Sequence, residues 1–104
     1  MAQFDVCRNR NPRTRRSIPF LLDVQSDLLS GLVTRVVVPL VRASEMRKPA
    51  AHLNPQFTIQ GAKVVMSTVE LAGVPVEVLG DKVGSLKSRR DDIIGALDFL
   101  FTGF

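Results

Sequence analysis

Thr34-Arg35-Val36-Val37-Val38-Pro39-Leu40-Val41 is the stretch that decides the fold. Its β-branched side chains favour a pleated backbone over a helix, and a run this apolar belongs in the core of a sheet. It is strand-sized, far short of the roughly 18 apolar residues that a bilayer span requires. The chain around it is therefore expected to be built from strands.

Outward from this strand the same period recurs. Gln3 to Cys7 alternates polar and apolar and predicts a first strand, and Ile18 to Val24 a second, with Pro19 near its start or on an edge. Asp27 to Gly31 closes the connection into Thr34. Downstream, Pro49 forbids a long helix between Arg42 and Asn54. Phe57-Thr58-Ile59 and Lys63-Val64-Val65-Met66 flank Gln60-Gly61-Ala62 as a hairpin. Val74 to Leu79 alternates again and ends at Gly80. About six short strands with turns between them predict a mainly β domain, a small barrel or sandwich.

The period changes after Ser88. Ser88 followed by Asp91 resembles a capping box, and Asp91 and Asp92 sit where the helix dipole favours negative charge. Ile93, Leu97, Leu100, Phe101 and Phe104 recur at helical spacing as one packing stripe, leaving Phe99 off it beside Gly95 and Thr102. A C-terminal α-helix covering the sheet is expected.

Composition narrows the function. The 104 residues are 45% hydrophobic and 23% charged, which fits one globular domain over 1–104. The single cysteine, Cys7, cannot form an internal disulfide, and no apolar leader precedes Asp5, so a soluble cytoplasmic protein is expected. Metal binding needs clustered ligands, and one Cys and one His far apart do not supply them. No Gly-rich phosphate loop is present. His52 reads as an ordinary histidine, Cys7 as a buried inert thiol, and Asp23 and Asp27 as turn-shaping side chains rather than a catalytic dyad. No enzyme, cofactor or metal is implied.

The net charge of +4 is concentrated: Arg8, Arg10, Arg13, Arg15 and Arg16 crowd into nine residues. Nucleic-acid sites usually pair such charge with exposed aromatics, but Trp and Tyr are absent and Phe4 and Phe20 occupy strand positions. A solvated loop, or one that meets an acidic disordered protein partner, fits better.

Four stretches in register resemble the CcdB toxins of bacterial toxin–antitoxin modules. They are Asp23-Val24-Gln25-Ser26-Asp27-Leu28-Leu29, Val37-Val38-Pro39-Leu40, Val74 to Gly80, and Asp92-Ile93 through Phe101-Thr102-Gly103-Phe104. The resemblance implies a homodimer of SH3-like, partly open barrels, each with a C-terminal helix. It implies binding to the A subunit of DNA gyrase, trapping of its cleaved-DNA complex, and release by an antitoxin with an acidic flexible arm.

Carried over by position, the gyrase-binding patch would be Leu28, Leu29, Asp98, Phe101, Thr102, Gly103 and Phe104. The arginines from Arg8 to Arg16 occupy the position of a mobile family loop near the antitoxin's path. One departure stands out. Family members that poison gyrase end in Trp-Gly-Ile, whereas this chain has Thr102-Gly103-Phe104. The lost indole stacks on an arginine of gyrase, a contact worth about 2 kcal/mol when desolvated. Two alternatives follow: a homologue that keeps only its antitoxin contacts, or a MazF/Kid-type endoribonuclease toxin on the same barrel.

Overall fold

The structure, a computed structural model, describes residues 1–103. Seven strands form one antiparallel sheet: β1 (Asp5–Asn9), β2 (Phe20–Asp23), β3 (Thr34–Arg42), β4 (Gln56–Ile59), β5 (Ala62–Met66), β6 (Ala72–Pro75) and β7 (Leu79–Ser85). The order is β4-β5-β3-β2-β1-β7, with β6 also paired to β3. The sheet curls into a half-barrel, and a single helix, α1 (Arg90–Thr102), follows it. The expected architecture, mainly β with a C-terminal helix, is the one found.

The valine-rich stretch is the organising strand. Its first half pairs with β6 (Val36↔Gly73, Val37↔Ala72) and its second half with β5 (Leu40↔Met66, Val41↔Val65), while β2 runs along its other edge. Pro39 falls in the gap where β3 passes from β6 to β5. A proline has no N–H for a ladder, and here it sits where that edge has no strand partner. Its carbonyl is still used, accepting the Ser67 N–H at 2.9 Å.

Alternation along the strands builds two apolar layers. Val6, Leu22, Val38 and Leu40 point to one face, where Phe4, Phe20, Phe57, Val64, Met66 and the helix residues Ile93 and Ala96 complete the main core. The intervening Cys7, Leu21 and Val37 point to the other face and form a smaller cluster with Leu79. The β4–β5 hairpin turns through Gln60 and Gly61, both at positive φ (50° and 79°), the backbone that two-residue hairpins favour.

Four sequence expectations are corrected. The first strand begins at Asp5 rather than Gln3, because Phe4 turns the chain at φ 69° to donate its N–H to the Asp23 carbonyl. The strand then continues through Arg8 to Asn9, so one arginine belongs to the sheet. Val74 to Leu79 is not one strand: a 3₁₀ turn at Val76–Val78 breaks it, and β7 resumes beyond. Ser88 is not the helix cap. It lies in a 3₁₀ turn, Lys87–Arg89, and Arg89 occupies the cap position with no side-chain cap bond, its guanidinium pairing Asp92 at 2.8 Å instead. Phe101 is 70% exposed, so the helix packs on the core through Ile93, Ile94, Ala96 and Leu97 and leaves Phe101 outside it. Phe104, the last member of the expected stripe, lies outside the described residues.

Candidate functional site

The Asp23-to-Leu29 stretch is a hydrogen-bonded bracket. Asp23 ends β2 fully buried, and its Oδ1 accepts the Gln25 N–H at 2.9 Å, turning the chain. Its Oδ2 accepts from Arg35 Nε at 2.8 Å. Arg35 Nη2 also approaches that oxygen at 2.7 Å, off the axis of a hydrogen bond, so direction comes from Nε. Burial pushes the Asp23 carboxyl up from its ordinary range, opposed by the Gln25 amide and the Arg35 guanidinium.

The bracket closes around Gln25, whose Oε1 accepts from the Val36 amide (3.0 Å) and whose Nε2 donates to the Leu29 carbonyl (2.8 Å). Ser26 Oγ caps the 3₁₀ turn Asp27–Leu29 by accepting the Leu28 N–H, and Asp27 Oδ1 takes the Gln3 N–H at 2.8 Å. The expected turn-shaping role is borne out for Asp23, which adds a buried ion pair that spacing alone did not reveal; the Asp27 side chain instead ties its turn to the distant Gln3. The product is a fixed turn holding Leu28 95% exposed and Leu29 half exposed. An apolar side chain held out on a hydrogen-bonded turn contributes nothing to this core, and is suited to a partner's pocket.

The second half of the carried-over patch sits at the end of α1. Asp98, Phe101 and Thr102 are exposed on its last turns. Gly103 terminates the helix at φ 78°, its N–H bonded to the Phe99 carbonyl at 2.9 Å, a left-handed cap that glycine fills without strain. The Thr102 hydroxyl donates back to the Asp98 carbonyl at 2.7 Å. Helix α1 packs on the main core through Ile93, Ala96 and Leu97, with the 3₁₀ turn Thr68–Glu70 beside it. The two halves of the patch are thus carried by separate elements.

Two aromatic contacts flank the helix. Phe99, off the packing stripe as expected, pairs with His52 at 6.4 Å between ring centroids, and Arg89 lies 4.7 Å over the Phe57 ring. His52 is exposed and Cys7 buried, matching the plain readings of both. Burial pushes the Cys7 thiol up to about 11.

The arginines divide. Arg8, Arg10 and Arg15 line an open cleft of about 530 Å³ with Asn9, Gly80 and Asp81, and Arg13 and Arg16 do not. The loop is no unstructured tether. Asn9 Nδ2 reaches Thr14 Oγ1 and the Ile18 carbonyl, and the Asn11 carbonyl accepts from Thr14 and Arg15. Sequence reasoning missed Gln25, Arg35 and Gly80. It also missed an apolar edge where Leu32 and Val33 (79% exposed) meet Val76 through the Val76 N–H to Val33 carbonyl bond. Alternation places Val76 in the expected strand Val74 to Leu79; the 3₁₀ break at Val76–Val78 exposes it. Among the described residues, no three His, Cys, Asp or Glu gather as a metal site would, and no helix is long and apolar enough to cross a membrane.

Fold and surface together define a class: a helix-capped β half-barrel that presents side chains for docking on bracketed turns. Within that class, the family model of CcdB protein matches residues 3–103, nearly the whole chain, and the chain belongs to the CcdB family. It is accordingly a toxin-antitoxin toxin of the CcdB type.

Proposed function

We propose that this chain acts as a cytoplasmic homodimer that docks on the A subunit of DNA gyrase, traps the cleaved-DNA complex, and is released by a CcdA-like antitoxin. The observation that carries this reading is Leu28, held almost wholly in solvent by the Asp23–Gln25–Ser26 bracket. The gyrase surface comprises Leu28, Leu29, Asp98, Phe101, Thr102 and Gly103, with Phe104 beyond the described residues. The acidic arm of the antitoxin meets Arg8, Arg10, Arg13, Arg15 and Arg16, none of which has a carboxylate within ion-pair distance among the described residues. A second copy would cover part of the remaining apolar surface, of which Leu32, Val33 and Val69 are members. The whole chain, 1–104, works as one domain.

Thr102 sets the strength of this activity. Its hydroxyl proton is donated to the Asp98 carbonyl, so it offers gyrase a methyl group and an accepting oxygen but no aromatic ring. Threonine cannot reproduce a cation–π contact, and removing a central aromatic anchor costs about 2 kcal/mol or more. The chain therefore binds gyrase more weakly than relatives with the tryptophan, and a homologue reduced to antitoxin binding is the limiting case.

Calorimetry against the dimerisation region of gyrase A tests the proposal. Saturable heat is expected, lost with Leu28→Ser and strengthened at least about tenfold with Thr102→Trp. No heat from the folded wild-type dimer at about 50 μM removes gyrase as the target.

A further inference from the structure

No arginine of the loop forms an ion pair among the described residues; the pairs there use Arg35, Lys82, Arg89 and Arg90. Asp81 lines the same cleft as Arg8, Arg10 and Arg15, yet pairs with none of them. Like charges gathered without compensation repel, so the arrangement favours an anion from outside.

The cleft is built rather than incidental. A Cβ at Gly80 would stand 2.8 Å from the Arg8 carbonyl oxygen and 3.1 Å from Arg10 Cγ. Only glycine lets β7 approach β1 closely enough for the cleft to keep this shape. Arg8 Nη2 is steadied by Gln60 Oε1 at 3.0 Å, and the Arg15 backbone is fixed by its N–H to the Asn11 carbonyl at 3.0 Å. Most guanidinium N–H groups in the cleft remain free to donate. Arg16 serves elsewhere, its carbonyl accepting from Arg42 Nε at 2.7 Å and so tying the loop to the end of β3.

We propose that the Arg8–Arg10–Arg15 cleft is a preformed oxyanion pocket that takes adjacent carboxylates from an acidic segment of a partner protein. This rests on the acidic-arm reading above and sharpens it: three arginines recognise, and Arg13 and Arg16 only add field. Guanidinium forks match carboxylates in bidentate geometry and hold them more strongly than neutral donors do. A nucleic-acid backbone fits less well. It needs a basic stripe to track and, when single-stranded, aromatic faces to stack on; this pocket is compact, has Asp81 in its wall, and is lined by no ring.

The test uses the full chain and a fluorescent peptide of four adjacent aspartates and glutamates in a Gly-Ser background, followed by anisotropy. Arg10→Gln, Arg15→Gln, Arg13→Gln and Arg16→Gln each remove one charge, so long-range attraction falls equally in all four. The first two are expected to weaken binding about tenfold and the last two at most about twofold. Equal weakening by all four overturns the pocket and leaves the acidic-arm reading as diffuse attraction. A wild-type chain that ignores the peptide overturns both. A DNA duplex that displaces the peptide at equal charge, with the same dependence on Arg10 and Arg15, reassigns the pocket to phosphate. Gly80→Ala is expected to lower affinity as the cleft-lining substitutions do, and the Arg→Gln set decides the matter if that variant folds poorly.

Discussion

The two halves of the proposed gyrase surface are held by opposite means. Leu28 and Leu29 stand on a turn fixed by a buried ion pair, a glutamine bridging two backbone groups, and a serine cap, with partners as distant along the chain as Gln3 and Val36. Phe101, Thr102 and Gly103 stand on the last turn of a helix, where the bonds come from Asp98 and Phe99, four residues back. Tertiary bonds fix the first group in one geometry, while local bonds at a helix end open at small cost. A binding surface made of one fixed and one yielding half suggests that the leucines set register and the tail adjusts to the target. Substitutions in either half can break that contrast, and the fixed half should respond most.

Arg35→Ala attacks the fixed half directly. Asp23 is fully buried, and without the guanidinium its carboxylate keeps only the Gln25 amide as a partner. Removing one member of a buried pair leaves an uncompensated charge, so a loss of about 3–5 kcal/mol is expected in urea denaturation. Replacing both, as Asp23→Asn with Arg35→Met, should cost less than Arg35→Ala alone, because no buried charge is stranded. If Arg35→Ala costs under about 1 kcal/mol, the bracket is not held by the pair and the contrast with the tail disappears.

The next effect comes from the same face of the sheet, beside the Asp23–Arg35 pair. Cys7 pairs across from Leu21 and packs with Val37 beneath the bracket, and burial lifts its thiol from 9.0 to about 11. The native state thus holds this proton more tightly than the unfolded chain. Stability is unaffected by Cys7 well below pH 9 and falls as pH rises from there through 11, because the unfolded thiol ionises before the folded one. Two pKa units correspond to about 3 kcal/mol. The chain has no tyrosine, and Cys7→Ala leaves every other ionisable group in place, so the comparison isolates the thiol. Denaturation at pH 8 and 11 should therefore show the wild type losing about 2 kcal/mol more than the variant, the rest of the difference developing only above pH 11. Equal losses in the two proteins would mean that the thiol is not shielded as its burial implies.

The same contrast explains what could be read in advance. The helix and the Gln60-Gly61 hairpin were legible because their signals are local: apolar spacing in one, a turn dipeptide in the other. The strand Thr34–Arg42 was legible because its valines have few other uses. By contrast, β7 (Leu79–Ser85) is a sheet edge rich in glycine and charge, so it carries no apolar alternation. Arg35 looked like an ordinary polar member of a strand; its burial is decided by Asp23, twelve residues earlier, and no periodicity reports that. In the basic loop the charges were visible at once, but their division into cleft and non-cleft depends on Gly80 of a strand that was itself unread. Composition exposes how much charge a segment has, whereas topology decides where it converges.

The smallest effect lies within α1, where two glycines eight residues apart should respond to alanine with opposite sign. Gly95 sits in the middle of the helix, exposed, and an added Cβ would meet nothing within 4 Å. Alanine there gains helix propensity and should stabilise the chain by about 0.8 kcal/mol. Gly103 has equal space around it, but its φ of 78° lies in the left-handed region that an L side chain resists. Alanine there should cost about 1 kcal/mol, either as strain or by unwinding the cap that holds the Phe99 carbonyl. Thermal denaturation of both variants measures the difference, since free space is the same at both sites and only backbone conformation separates them. If Gly103→Ala is as stable as the wild type, the left-handed cap is not populated in solution, and the yielding half of the surface begins earlier in the helix than Thr102. If Gly95→Ala fails to stabilise, helix propensity does not limit α1, and the burial of Ile93 and Ala96 in the core sets its stability instead.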